Sequence, residues 1–138
     1  MWEILFRHPD FVAINKPCGV SVHQEEGEVS LTQTLAAQLD LEQVWLLHRL
    51  DKLTSGVLLF ALNPQSASAL AQQFAAKTMR KTYLALGTDK PSKKQGWIKG
   101  DMEKSRRGTW KLMRSMENPA VTEFGSHSLE PGLRLFVL

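Results

Sequence analysis

Apolar positions along the chain come in short runs, and the spacing within a run changes from one to the next. Ile4–Phe6 and Phe11–Asn15 flank His8-Pro9-Asp10, which predicts two strands around a tight turn. Asn15-Lys16-Pro17-Cys18-Gly19 reads as a loop, because Pro17 fixes one φ and Gly19 tolerates a positive one. Val20–His23 predicts a further extended piece. Ser30-Leu31-Thr32-Gln33 has the form of a capping box, and Leu31, Leu35, Ala36 and Leu39 follow at helical spacing, which predicts a helix over 31–39. Val44–Leu47 predicts a strand. Gly56–Leu62 has no polar side chain, which predicts a strand central in its sheet.

Asn63-Pro64 supplies a cap and a first-turn proline. Ala67, Leu70, Ala71 and Phe74 then form the apolar face of a helix reaching about Ala76. Thr82–Leu86 predicts a strand. Residues 88–111 hold eight lysines and arginines, among them Arg106 and Arg107, and read as a twisted hairpin or a long exposed loop. Val121–Phe124 and Leu133–Leu138 predict strands joined across Pro131-Gly132. Helices and strands are interspersed without strict alternation, so the expected fold is α+β: a mixed, mainly antiparallel sheet with flanking helices. The last residues, LFVL, read as a buried strand. Because chain ends are usually exposed and polar, either this strand lies at a protected edge or the chain is a truncated form of something longer.

Composition adds little to that picture. A hydrophobic content of 43% suffices for a core, and a net charge of +3 permits an anionic partner without requiring one. The lone cysteine, Cys18, rules out an intrachain disulfide and fits a reducing compartment; its residue type predicts burial. The N-terminus carries Glu3, Arg7, His8 and Asp10 and does not resemble a signal peptide. No apolar run approaches the roughly 20 residues that cross a bilayer. A cytoplasmic, monomeric protein that does not engage membranes is expected.

The densest chemistry lies at His48-Arg49-Leu50-Asp51-Lys52-Leu53-Thr54-Ser55-Gly56, directly before the apolar strand. A hydrolase triad is disfavoured, because no nucleophile elbow of the GxSxG type is present. His48 and Asp51 provide only two metal ligands, and no phosphate-binding glycine loop occurs. What remains is Asp51 between Arg49 and Lys52. Neighbouring cations, and hydrogen bonds from Thr54, Ser55 or backbone amides, would keep such a carboxylate ionised and fit to act as nucleophile or base. A plain surface turn, with an ion pair worth at most about 1 kcal/mol, accounts for the same residues.

HRLDKLTSGVLLFAL resembles the signature of the RluA-type pseudouridine synthases. FVAINKPCGVSVH resembles the family's opening strand and NKPxG segment, RKTYLAL its strand bearing a tyrosine, and AVTEF with PGLRLFVL the strands that follow. The resemblance implies the pseudouridine synthase catalytic fold, an RNA substrate (a ribosomal or transfer RNA stem-loop), and isomerisation of uridine to pseudouridine without cofactor or metal. It places the catalytic aspartate at Asp51 and the active-site tyrosine at Tyr83. Arg49 falls where family members enter the RNA as the target base leaves, and Leu50 and Thr54 fall where the loop is shaped and braced. Lys81, Arg106 and Arg107 would contact RNA, with Trp97 and Trp110 interleaved in the basic stretch. The family's TGRxHQxR segment, which supplies a cation for the aspartate, lies beyond the matched strands. No basic residue here clearly replaces it, and Lys81 is expected to point away from the residues beside it. The resemblance therefore implies the N-terminal portion of the catalytic domain, and a non-catalytic RNA-binding module or an inactive truncated fragment is the competing expectation. Attack of Asp51 on C1′ and removal of the 2′ proton to give a glycal both remain open. Each needs an ionised carboxylate, for which the reference pKa of about 3.9 is low enough at neutral pH.

Overall fold

The computed structural model describes residues 1–23, 27 and 29–138. They divide into two compact units, Met1–Arg80 and Lys81–Leu138.

The first unit is built on a four-stranded sheet. β1 (Glu3–Arg7) and β2 (Phe11–Lys16) form the predicted hairpin. The helix α1 (Leu31–Gln38) begins at Ser30, whose side chain accepts from the Gln33 amide while the Gln33 side chain accepts from the Ser30 amide. β3 (Trp45–Leu46) is shorter than predicted, and β4 (Gly56–Ala61) takes an interior place in the order β1-β2-β4-β3. The helix α2 (Pro64–Ala75) starts at the Asn63 cap, with Pro64 in its first turn. The core lies between α1 and the sheet: Val12, Ile14, Leu58 and Phe60 meet Leu31, Leu35, Ala36 and Leu39. Each such side chain fully withdrawn from water contributes about 1.5–3 kcal/mol before entropy is set against it. Val20–His23 is not extended as expected. The chain bends there, delivering the Val20 carbonyl to the Lys16 ammonium at 2.8 Å.

The second unit has no helix longer than one turn. β5 (Leu84–Gly87) is an edge strand. Residues 88–111, expected as a twisted hairpin or a long exposed loop, supply both a strand of the larger sheet, β6 (Gln95–Gly100), and a separate hairpin of β7 (Met102–Lys104) and β8 (Trp110–Leu112). β9 (Ala120–Glu130) is far longer than the predicted 121–124, and β10 (Leu133–Val137) follows across Pro131-Gly132. The sheet order is β5-β10-β9-β6. Every strand pairing in the described residues is antiparallel, in keeping with the expected α+β fold on a mainly antiparallel sheet. Gly100 is buried at the end of β6, where a Cβ would collide with the Met113 carbonyl oxygen and the Leu112 side chain.

Candidate active site

Two loops meet at one end of the first sheet because of strand register. β2 and β4 pair antiparallel from Phe11 opposite Ala61 to Lys16 opposite Gly56. The loop leaving β2, 15–19, therefore starts beside the place where the His48–Gly56 segment enters β4.

The second loop is released from the sheet by His48. Leu47 still donates its amide to the Leu59 carbonyl at 3.2 Å. The Leu59 amide, however, donates to His48 Nε2 at 3.1 Å, so the imidazole takes the place of a strand carbonyl and the β3–β4 ladder stops. The ring also stacks on Phe74 of α2, with centroids 5.0 Å apart. Beyond it Arg49 is exposed, while Leu50 turns inward and is only 8% exposed. Leu50 thus anchors the loop in the core. Asp51 is exposed, and a turn closes behind it through the Thr54 amide and the Asp51 carbonyl at 3.0 Å. The expected hydrogen bonds to the Asp51 carboxylate are not formed among the described residues: Thr54 bonds the main chain instead, leaving the carboxyl oxygens available to a ligand. Gly56 ends the loop at φ +135°, a conformation that side-chain-bearing residues rarely adopt.

The two loops are tied together. Gly19 donates its amide to the Lys52 carbonyl at 2.8 Å, and Cys18 Sγ donates to the Leu53 carbonyl at 3.2 Å. Cys18 is exposed, contrary to the expectation of burial, because the Pro17–Gly19 turn carries it outward to this contact. Lys16 is the residue that sequence reasoning missed. It alternates with Val12 and Ile14, has no exposed surface, and donates to the carbonyls of Pro17, Val20 and Lys52 at 3.1, 2.8 and 3.3 Å. Burial lowers its pKa from the ordinary 10.5, while the nearby Cys18 and Asp51 favour the charged form. The signal was period-2 spacing, which puts position 16 on the core face.

The remaining predicted residues belong to the second unit. Tyr83 is 36% exposed and exchanges two backbone hydrogen bonds with Leu138, at 3.0 and 2.9 Å, extending the β5–β10 ladder by one pair. Lys81 is exposed and precedes β5, so strand alternation does not set its direction, as had been expected. Arg106 and Arg107 sit exposed at the tip of the β7–β8 hairpin, Arg107 at φ 62°. That tip is closed by a bond from the Ser105 amide to the Thr109 carbonyl at 2.7 Å. At the hairpin's base, the Asp101 carboxylate accepts the Glu117 and Asn118 amides at 2.9 and 2.7 Å. Trp97 is exposed on β6 with Lys99 Nζ 5.0 Å from its ring centre, and Trp110 is exposed on β8. Among the described residues no three His, Cys, Asp or Glu side chains gather as metal ligands, and no helix is long and apolar enough to cross a membrane.

Residues 10–130 match the family model described as RNA pseudouridylate synthase. An uncharacterised RNA pseudouridine synthase of Haemophilus influenzae is 52% identical over 136 residues, which are 99% of this chain and 61% of that protein. A tRNA pseudouridine synthase C of Haemophilus ducreyi is 43% identical over 88 residues, 61% of this chain and 36% of that protein. Among solved structures, human RNA Pseudouridylate Synthase Domain Containing 4 superposes with a TM-score of 0.74 at 27% identity, over 98% of this chain and 58% of that one. The chain thus spans less than two thirds of the length of these relatives. With a model matched over most of its residues and a relative identical at half its positions, the chain belongs to the RNA pseudouridylate synthase family.

Proposed function

We propose that this chain carries the aspartate-bearing part of a cytoplasmic RNA pseudouridine synthase, and that the remaining length found in its relatives completes the catalytic domain. The observation that carries the reading is the Asp51 loop. Its main chain is fixed by Leu50 in the core, by the turn at Thr54 and by the Lys52 carbonyl, yet its carboxylate is exposed and unbonded among the described residues.

The chemistry needs little else from the protein. The bond from C1′ to N1 of the uridine breaks, the uracil turns, and C5 bonds to C1′ while its hydrogen moves to nitrogen. Asp51 stabilises the detached sugar by bonding C1′ or by taking the 2′ proton. Tyr83 stacks on the extruded uracil and helps relay the C5 proton. Extrusion costs a few kcal/mol, which Arg49 offsets in part by filling the gap in the RNA stack. Arg106 and Arg107, the Trp97–Lys99 pair, Lys81 and Trp110 grip the RNA through phosphate contacts and stacking. Transfer RNA is the favoured substrate class, on the strength of the tRNA pseudouridine synthases among its relatives.

Tritium release from C5-labelled uridine in bulk transfer and ribosomal RNA tests this. The chain would be extended at its C-terminus with the matching segment of the 52% identical relative. Release from transfer RNA is expected, and Asp51→Asn should reduce it by about 10²–10⁴-fold with RNA binding intact. An extended form that binds RNA but releases no tritium would favour the binding-module reading, which the exposed tryptophans and basic hairpin also support.

A further inference from the structure

Between Gly100 and Met102 the chain changes partner: Gly100 pairs with Ala120 of β9, but Met102 pairs with Leu112 of β8. Asp101 stands at the changeover and holds the returning arm of the hairpin through its amide, its carbonyl and both carboxylate oxygens. The amide donates to the Ser115 carbonyl at 3.0 Å, and the carbonyl accepts the Met113 amide at 2.7 Å. The carboxylate accepts the Glu117 amide at Oδ2, 2.9 Å away, and the Asn118 amide at Oδ1, 2.7 Å away. A hairpin of three-residue strands has little stability of its own in water. Its direction is therefore set where it is fastened. At the far end Arg107 holds φ 62°, a region that non-glycine residues seldom occupy and that persists where the surroundings fix the chain. Lys111 is matched by Glu103 at 3.2 Å, so the charge presented at the tip rests on Arg106 and Arg107, with Lys104 beside them.

We propose that Asp101 is the positioning residue of the basic hairpin: by fastening residues 113–118 to the end of β6, it presents Arg106 and Arg107 in one fixed direction, already ordered for RNA phosphates. The inference rests on the reading of these arginines as RNA contacts and adds what makes them effective. An aspartate with no such role would only hinder binding, because a carboxylate near a phosphate backbone is repelled by it.

The test is binding of bulk transfer RNA over a salt series, measured for the chain itself, for Asp101→Ala, for Arg106→Ala with Arg107→Ala, and for all these substitutions together. Removing the arginine pair should weaken binding and flatten the slope of log K against log salt by about 1.4, at roughly 0.7 for each phosphate contact. Asp101→Ala should weaken binding roughly fivefold or more, as expected when two long side chains must be ordered on binding, although it removes a negative charge. In the background lacking both arginines it should weaken binding no further. A merely structural role would cost the same in both backgrounds, and that outcome overturns the proposal. Binding by Asp101→Ala as tight as that of the parent, or tighter, overturns it too. An arginine pair that can be removed without effect overturns the proposal together with the RNA reading of the hairpin, so the two failures are told apart. Should Asp101→Ala fail to fold, Asp101→Asn, which keeps one of the two side-chain acceptors, takes its place, with a smaller loss expected in the same pattern.

Discussion

The two units place their apolar side chains differently. In Met1–Arg80 the sheet is covered by α1, and every buried hydrophobic among the described residues lies between Val12 and Ala61. In Lys81–Leu138 the same kinds of residue stand on an uncovered sheet: Leu84 is 70% exposed, Leu86 66%, and only Gly100 and Ser126 are buried. Strands alone leave two faces in water, and a sheet gains most of its stability by packing one of them. The comparison teaches where precision can reside. The Asp51 loop hangs from the unit with a packed interior, which can hold a carboxylate in place. The arginines and tryptophans ride on the unit whose surface is open, where they can meet a large, variable ligand.

Three substitutions would sharpen or break the contrast, each read by residue-resolved urea unfolding. Phe60→Ala, in the first core, should cost about 3–5 kcal/mol and lower the midpoint for amides of the first unit. Gly100→Ala should cost about 1–3 kcal/mol in the second unit, because the added methyl meets a backbone oxygen and cannot be accommodated by a rotamer change. Leu86→Gln should change stability by less than about 0.5 kcal/mol. If Leu86→Gln instead matched Phe60→Ala, the second unit would have a core after all and the contrast would be wrong.

Legibility in the sequence followed the range of the interactions. The caps at Ser30 and Asn63 depend on residues three apart, and both were readable. The strand Gly56–Ala61 was readable because it carries no polar side chain of its own. β6 and the far half of β9 were not. His127 and Ser128 are exposed to water, so backbone pairing holds them without any apolar alternation to reveal it. HRLDKLTSG announced the site, but its support did not show: Lys16 meets an acceptor 36 positions away, and only the folded register brings the two together. Cys18 is exposed although its residue type favours burial, because Pro17 and Gly19 on either side of it set the turn.

The pairing of Lys16 with Gly56 carries one more consequence. Strand side chains alternate between faces, so sliding β2 by a single residue against β4 would expel Val12 and Ile14 from the interior and swing the lysine outward in the same motion. No misaligned version of this unit can keep its hydrophobic centre and lose its chemistry. Assembly of the interior therefore acts as a proofreading step, and a molecule that has passed it already has both loops in their working alignment.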